Sequence, residues 1–365
     1  MSISFIHTGD VHIGMKFTTS KLDQDTSKNK RIEIIDTFLN IVKRCKSEKI
    51  DFLLIAGDLF EDELCTIADL KIINDSFKDI KNTNIIMITG NHDYLNEKSL
   101  YNLIDWNKNV YIIKEKNLSK LSFEKYNTDV WGLSWYEKEK SAQRFKDIKL
   151  NKDRNNILLL HGDIIDKKSK YMPIDKNHLK DLEFDYIGLG HIHKHQYISN
   201  NICYCGSPEP LDFGETGDHG IIEGIIDKNG LETKFISLAN RRYHIKRLNI
   251  NEDMTYNDIL DNVINVDNNE RLQKDFFRII LNGFIDKDIK PKIKELEYKL
   301  KDKFYFIKIT DNTKENYDLE GLLKNNEENI IGRYIMEMKD KGLEDETITN
   351  ALTIGLEELL REKGI

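Results

Sequence analysis

Proline and cysteine are both scarce in this chain, four of each in 365 residues. So few prolines exclude a proline-rich linker or stalk. Cys45, Cys65, Cys203 and Cys205 contain no CxxC pair. That excludes a zinc ribbon and a disulfide-stapled scaffold, and it is expected of thiols in a reducing cytosol. No stretch nears the roughly 18 apolar residues of a membrane-spanning helix. The opening MSISFIHTGDVH has no basic segment leading into an apolar one. No membrane partner is therefore expected, and the expected compartment is the cytoplasm. An excess of positive charge is missing too: 55 Lys and Arg stand against 63 Asp and Glu, a net charge of −8. The imbalance is local. Residues 311–365 hold 7 basic and 14 acidic side chains, whereas residues 241–310 hold 15 and 12.

What is present is a chain long enough for two or three compact units. Short apolar runs end repeatedly in Gly, Asp, Asn or His: ISFIHTGDVH, DFLLIAGDLF, NIIMITGNHD, NILLLHGD and FDYIGLGHIH. Each reads as a buried strand followed by a loop. Between the early runs lie stretches of helical period. In RIEIIDTFLNIVKRCKSEK the apolar residues Ile34, Ile35, Phe38, Ile41 and Val42 share one face, and LKIINDSFKDIK follows the same rule. Alternating strands and helices predict an α/β sheet, whose functional groups gather beyond the carboxyl ends of its strands. After about residue 240 the texture changes. RRYHIKRLNI, FFRIILNGF and KFYFIKIT read as strands, and TYNDILDNVINV and DIKPKIKELEYKLKD as helices. ENIIGRYIMEMKDKG and DETITNALTIGLEELLREKG then predict two amphipathic helices at the end.

The strand ends carry the chemistry. In order they offer Asp10 and His12, Asp58, Asn91-His92-Asp93, His161, and His191 with His193. A lone Asp-x-His means little, but five such loops in one chain are not a coincidence of turn residues. Asp10, His12, Asp58, Asn91, His161, His191 and His193 make seven candidate metal ligands, more than one divalent ion uses. Two ions sharing a carboxylate use such a set, and two-metal sites hold ions roughly 3.5–4 Å apart to clamp both oxygens of a phosphoryl transfer. Oxygen and imidazole donors without thiolate suit Mn²⁺, with Fe²⁺ or Zn²⁺ as alternatives. An extended His191-Ile192-His193 would send both imidazoles one way and Ile192 back to the core. His195 is expected to lie at the surface or behind the ligands, His7 in the core. Asp163 is expected in a turn, and Glu61 and Asp62 in a solvated loop. His178, His219 and His244 stand alone and carry no assignment.

The order D-x-H, GD, GNHD, H, GHxH resembles the calcineurin-like metallophosphoesterase superfamily. The resemblance implies a two-sheet α/β sandwich flanked by helices. It implies one ion on Asp10, His12, Asp58 and His193, and a second on Asp58, Asn91, His161 and His191, with Asp58 bridging. His92 would sit at the scissile phosphate as a catalytic residue, with Asp93 orienting its ring. The segment CYCGSPEPLDFGE, residues 203–215, is similar to the one following GHxH in SbcD-type nuclease subunits, although that family often has proline where Cys205 stands. That similarity implies three parts: a nuclease domain over 1–240, a small α/β capping domain contacting DNA over 241–312, and C-terminal helices over 313–365. It implies cleavage of DNA at double-stranded ends and hairpins by exo- and endonuclease action in repair. It also implies a coiled-coil ATPase partner of the SbcC type, to which the last helices would bind, and a homodimer. Arg241, Arg242, Lys246 and Arg247 are the densest basic cluster and a candidate DNA contact. The competing expectation is a phosphoesterase of nucleotides or cyclic nucleotides, since the ligand set alone does not choose between them.

Overall fold

In the computed structural model, residues 2–17, 22–143, 145, 148–286 and 288–362 are described. The chain divides into two units, Met1–Arg242 and Tyr243–Ile365.

The first unit opens with four parallel strands, β1 (Ile3–Thr8), β2 (Phe52–Ala56), β3 (Asn84–Ile88) and β4 (Val110–Ile112), side by side in that order. Helix α1 (Gln24–Ser47) connects β1 to β2, and α2 (Ile67–Ser76) connects β2 to β3. Asp23 caps α1 by accepting from the Thr26 amide, and Thr66 with Asp69 forms a capping box on α2. A second sheet takes β5 (Ser119–Phe123), β6 (Thr128–Gly132), β7 (Asn155–His161), β8 (Tyr186–Gly190), β9 (Gln196–Ser199) and β10 (Ile202–Tyr204). Its order is β5-β6-β7-β8-β10-β9, parallel from β6 to β10 and antiparallel at both edges. Helix α3 (Lys176–Asp181) precedes β8. The hairpin β11 (Gly220–Asp227) and β12 (Gly230–Ser237) then returns to the first sheet, antiparallel to β1.

Strand period two explains the layers. Phe52 and Leu54 face inward with Phe5, Ile86 and Ile88, and meet Val130, Ile157, Leu159 and Tyr186 of the second sheet. Leu53 and Ile55 face outward and pack under Ile34, Phe38 and Ile41 of α1 and Leu70 and Ile73 of α2. Leu158, Leu160, Ile187 and Leu189 on the far side are covered by Leu179 of α3 and by Trp135. Central strands buried on both faces are continuously apolar, which is why these runs stood out in the sequence. The sandwich is the expected fold. The edge strands β5, β9 and β12 were not anticipated, because their alternating polar residues make a weaker pattern, and neither was β11, which lies between β12 and β1.

The second unit has parallel strands β13 (Tyr243–Ile250), β14 (Phe276–Ile285) and β15 (Phe306–Asp311), with a short β16 (Lys314–Glu315) beside β14. Helices α4 (Tyr256–Ile264) and α5 (Asn269–Lys274) lie between the first two strands. The single helix expected over 288–302 is instead a 3-10 stretch, Lys290–Glu295, followed by a short α6 (Leu296–Leu300). Pro291 sits at the start of that stretch, where a missing N–H is tolerated. Among the described residues the tail holds three helices rather than two: α7 (Leu319–Asn325), α8 (Ile330–Asp340) and α9 (Glu346–Glu362). They share a core of Ile331, Ile335, Met338, Leu352, Leu356 and Leu360.

Candidate metal centre

Each of the seven predicted ligands lies at or just past the carboxyl end of β1, β2, β3, β7 or β8. The backbone there is bent sharply. Asp10, His12, Asp58 and His191 have φ of 50°, 54°, 50° and 100°, a region that side chains other than glycine's rarely enter. Such conformations persist only where the surroundings enforce them, and they gather at functional sites. Here the Val11 and His12 amides donate to the Asp58 carbonyl at 2.9 and 3.1 Å, and the His191 amide donates to the Asp10 carboxylate at 2.9 Å. The extended geometry expected of His191-Ile192-His193 is therefore not observed: the left-handed turn at His191 brings both imidazoles to the site. Ile192 packs against the core of the second sheet, as expected. Two glycines make room. A Cβ on Gly57 would lie 2.6 Å from the His161 ring, and one on Gly90 would collide with the Asp58 carboxylate.

The side chains converge in two groups. In one, Nε2 of His12 and Nε2 of His193 stand 3.1 Å apart, and these rings group with Asp10. In the other, His161 Nε2 lies 3.0 Å from Asn91 Oδ1 and 3.3 Å from Asp58 Oδ2, while His191 Nδ1 lies 3.2 Å from Asn91 Oδ1. Asp58 Oδ2 is also 4.0 Å from His12 Nε2, so this carboxylate stands between the groups. Asp10, Asp58 and His161 are buried.

The hydrogen bonds decide which atoms remain available. His12 Nδ1 donates to Glu61 Oε1 at 2.7 Å and His193 Nδ1 donates to Glu215 Oε1 at 2.6 Å. His161 Nδ1 donates to the Ala56 carbonyl at 2.9 Å. With each Nδ1 proton committed, the neutral rings turn their Nε2 lone pairs inward, toward one another and toward carboxylate and amide oxygens. Acceptors facing acceptors in a buried pocket require positive charge between them. Divalent cations supply it, and the all-imidazole and oxygen donor set fits them. Protons are the substitute. Burial pulls His161 down, but the Asp58 and Asp10 carboxylates outweigh it and raise the ring to about 9. Burial likewise opposes His193, whose bond to Glu215 raises it to about 9. Burial and the neighbouring His161 charge lower His191 to about 4.

A pH dependence follows. Both raised histidines stabilise the metal-free fold fully below their unfolded value near 6.5, and that stability is lost as pH rises through 9. Chelator-treated protein should lose on the order of 5 kcal/mol, roughly 10–20 °C in Tm, between pH 6.5 and 9. Added Mn²⁺ should restore it, with the largest gain at the alkaline end. A metal-free melting curve unchanged over that range would contradict the assignment of charge.

Residues 3–195, more than half of the chain, match the calcineurin-like phosphoesterase profile. The chain belongs to the calcineurin-like phosphoesterase family. Among members of that family, it is 27% identical over 232 residues to the uncharacterized metallophosphoesterase YhaO of Bacillus subtilis, covering 60% of this chain and 56% of that one. It is 27% identical over 231 residues to the DNA double-strand break repair protein Mre11 of Methanocaldococcus jannaschii, covering 59% of each. The match thus spans less than two-thirds of the length of these two relatives. The Mre11 of Nanoarchaeum equitans is 23% identical over 367 residues, covering 93% of this chain and 92% of that one.

As a calcineurin-like phosphoesterase, the chain has two acidic residues, Asp93 and Glu61, whose surroundings differ from expectation. Asp93 does not orient His92. Its buried carboxylate accepts from the Asp58, Leu59 and Gly90 amides and from the Tyr101 hydroxyl at 2.8 Å, so it ties the loop after β2 to its own loop and to the 3-10 turn at Tyr101. The partner of His92 is Glu61, which accepts from His92 Nδ1 at 3.0 Å with one oxygen and from His12 with the other. Expected in a solvated loop, Glu61 is largely buried because it closes that His-Glu-His clamp. Burial would raise the Glu61 carboxyl, but the two histidine bonds hold it down at about 2. Burial opposes the charged form of His92, yet the Glu61 bond and the Asp58 charge hold this ring above its ordinary value. Glu215 was also missed as a partner of His193, although the sequence had marked out the segment that ends in it. Asp163 turns its loop as expected, accepting from the Ile165 and Asp166 amides. His7 is a core residue bonded to the Tyr186 hydroxyl at 2.8 Å, and His195 stacks on Phe235.

Glu61→Gln should weaken the ion held by His12 about 10- to 100-fold and lower turnover by a similar factor, because an amide holds both rings less firmly than a carboxylate. Mn²⁺ titration alongside steady-state kinetics checks this, and wild-type behaviour in both would show that the clamp is idle.

Proposed function

We propose that this chain is a two-cation phosphodiesterase that cleaves DNA, with Mn²⁺ as the working metal. The observation that carries the reading is the position of Asp58, within 4.0 Å of a ring nitrogen in each of the two ligand groups. Asp10, His12, Asp58 and His193 would hold one cation, and Asp58, Asn91, His161 and His191 the other. When bound, such a pair supplies a water acidified toward neutral pH and charge relief on the phosphate. The chain's own residues then have clear tasks. His92 is half-exposed beside the ligands and gives a proton to the leaving oxygen, and Glu61 keeps its ring charged and aimed.

A nucleic-acid substrate is supported by the relatives named as double-strand break repair Mre11. The working assignment keeps a nuclease domain over 1–240, an α/β capping domain over 241–312 and partner-binding helices over 313–365. In this reading the partner is a coiled-coil ATPase of the SbcC type and the chain acts as a homodimer. Exposed Ile330, Met336 and Ile354 on α8 and α9 support a partner for the tail. The basic cluster contributes less than its density implies: Arg241 pairs with Glu33, Arg242 with Asp218 and Lys246 with Asp267, leaving Arg247 exposed.

The test is a linear duplex labelled on each strand, incubated with Mn²⁺ or with chelator, beside a phosphomonoester probe. The duplex should be shortened only with Mn²⁺, at least 100-fold faster than the monoester is turned over. Turnover of the monoester alone would instead identify a small-molecule phosphoesterase.

A further inference from the structure

His193 lies three residues past the end of β8, on an irregular segment. Something other than strand geometry must aim its ring. Glu215 Oε1 takes the Nδ1 proton at 2.6 Å. The other oxygen, Oε2, accepts from the Leu211 amide at 2.9 Å and from the Ser207 hydroxyl at 3.2 Å. The Ser207 hydroxyl in turn lies 3.0 Å from Nδ1 of His219, which also lies 3.0 Å from the Ser207 carbonyl. A carbonyl only accepts, so that Nδ1 carries the hydrogen. That one hydrogen is shared between the Ser207 carbonyl and Oγ, so Ser207 Oγ accepts from His219 and gives its own hydrogen to Glu215. Ser207 and His219 are buried, and nothing in the proposed reaction uses them directly. The row closes on itself, because the Ser207 amide donates to the His193 carbonyl at 2.9 Å. The same loop is pinned to α1 by buried Glu209, which accepts from Lys30 at 2.9 Å and from Thr37 at 2.7 Å.

We propose that His219, Ser207 and Glu215 form a positioning chain that fixes the tautomer and direction of His193, and so sets the affinity of one of the two cations without touching the other. The inference rests on the two-cation reading above. Positioning partners of metal ligands typically change affinity 10- to 100-fold when lost. Direct loss of Glu215 falls within that range, and the residues behind it should have smaller effects.

The test is calorimetric Mn²⁺ titration of chelator-treated full-length protein, with no turnover required. Wild type should bind two ions. His219→Leu and Ser207→Ala should each weaken one ion about tenfold and leave the other within about twofold. His219→Asn keeps an N–H near the position of Nδ1 and should restore the wild-type constant. In a His193→Ala background the His219→Leu change should have no further effect, since the ring it serves is gone. Ser207→Ala removes a single hydroxyl and keeps the backbone bond to His193, which guards against reading a folding failure as a metal effect. Unchanged constants in both Ser207→Ala and His219→Leu overturn the chain. Equal weakening of both ions also overturns it, by showing a general loss of structure. Should wild type bind fewer than two ions, the two-cation reading itself falls.

Discussion

His92→Ala is expected to slow Mn²⁺-dependent cleavage of DNA by about 10²–10⁴-fold while both cations remain bound. The selectivity comes from how His92 is attached. Its backbone amide donates to Asp58 Oδ1 at 2.9 Å, and alanine keeps that amide. Its ring bonds Glu61 and meets the His12 ring edge-on with centroids 4.8 Å apart, but it is 40% exposed and holds no position among the seven ligands. On the proposed mechanism, removing it deletes the proton donor and leaves the seven proposed ligands in place. The leaving group separates this role from simple binding. A DNA alkoxide needs a proton, whereas nitrophenolate leaves without one. A nitrophenyl diester should therefore lose less than about tenfold in the same variant. Equal losses on both substrates would remove the acid role, and cleavage of DNA at the wild-type rate would remove His92 from the mechanism altogether.

Asp58→Ala should have the largest effect of any single change, a loss of about 10³–10⁵-fold in turnover, equivalent to roughly 4–7 kcal/mol of barrier. Metal content after dialysis against Mn²⁺ should fall from two ions per chain to one or none. Asp58 is the only one of the seven proposed ligands assigned to both cations. Burial would raise its carboxyl, but the charges of His161, His12 and His92 hold it far below the ordinary range, so it stays ionised at any working pH. Without it, three imidazoles lose their common counter-charge. Two ions retained by the alanine variant would show that Asp58 does not bridge.

Most of the catalytic sandwich was legible because its central strands are buried on both faces. FLLIA in β2 and IIMI in β3 are continuous apolar runs, the first ending directly at Gly57 and the second one residue before Gly90, and each glycine begins a site loop. The antiparallel edges carried half as much pattern and went unread. The tail was read as two helices rather than three because α7 buries none of its residues fully. The helix expected over 288–302 is divided instead into the 3-10 stretch Lys290–Glu295 and the short α6.

The seven proposed ligands were readable from the sequence alone because both their type and their place are constrained. Chemistry limits the ligands to imidazole and oxygen, and topology delivers them at the ends of successive parallel strands, so a motif in each loop is enough to mark them. Their partners were decided only by the tertiary structure. Glu61, Glu215 and His219 look like any other acid or histidine in the sequence. What gives Glu61 two histidines, and His219 a serine beside the carboxylate that holds His193, is which loops meet at the end of the sandwich. Asp93 shows the reverse: adjacent to His92 in the chain, its carboxylate ties the loop after β2 to its own loop instead. A hydrogen bond is set by direction over about 3 Å, and neighbours at that distance come from remote parts of the chain.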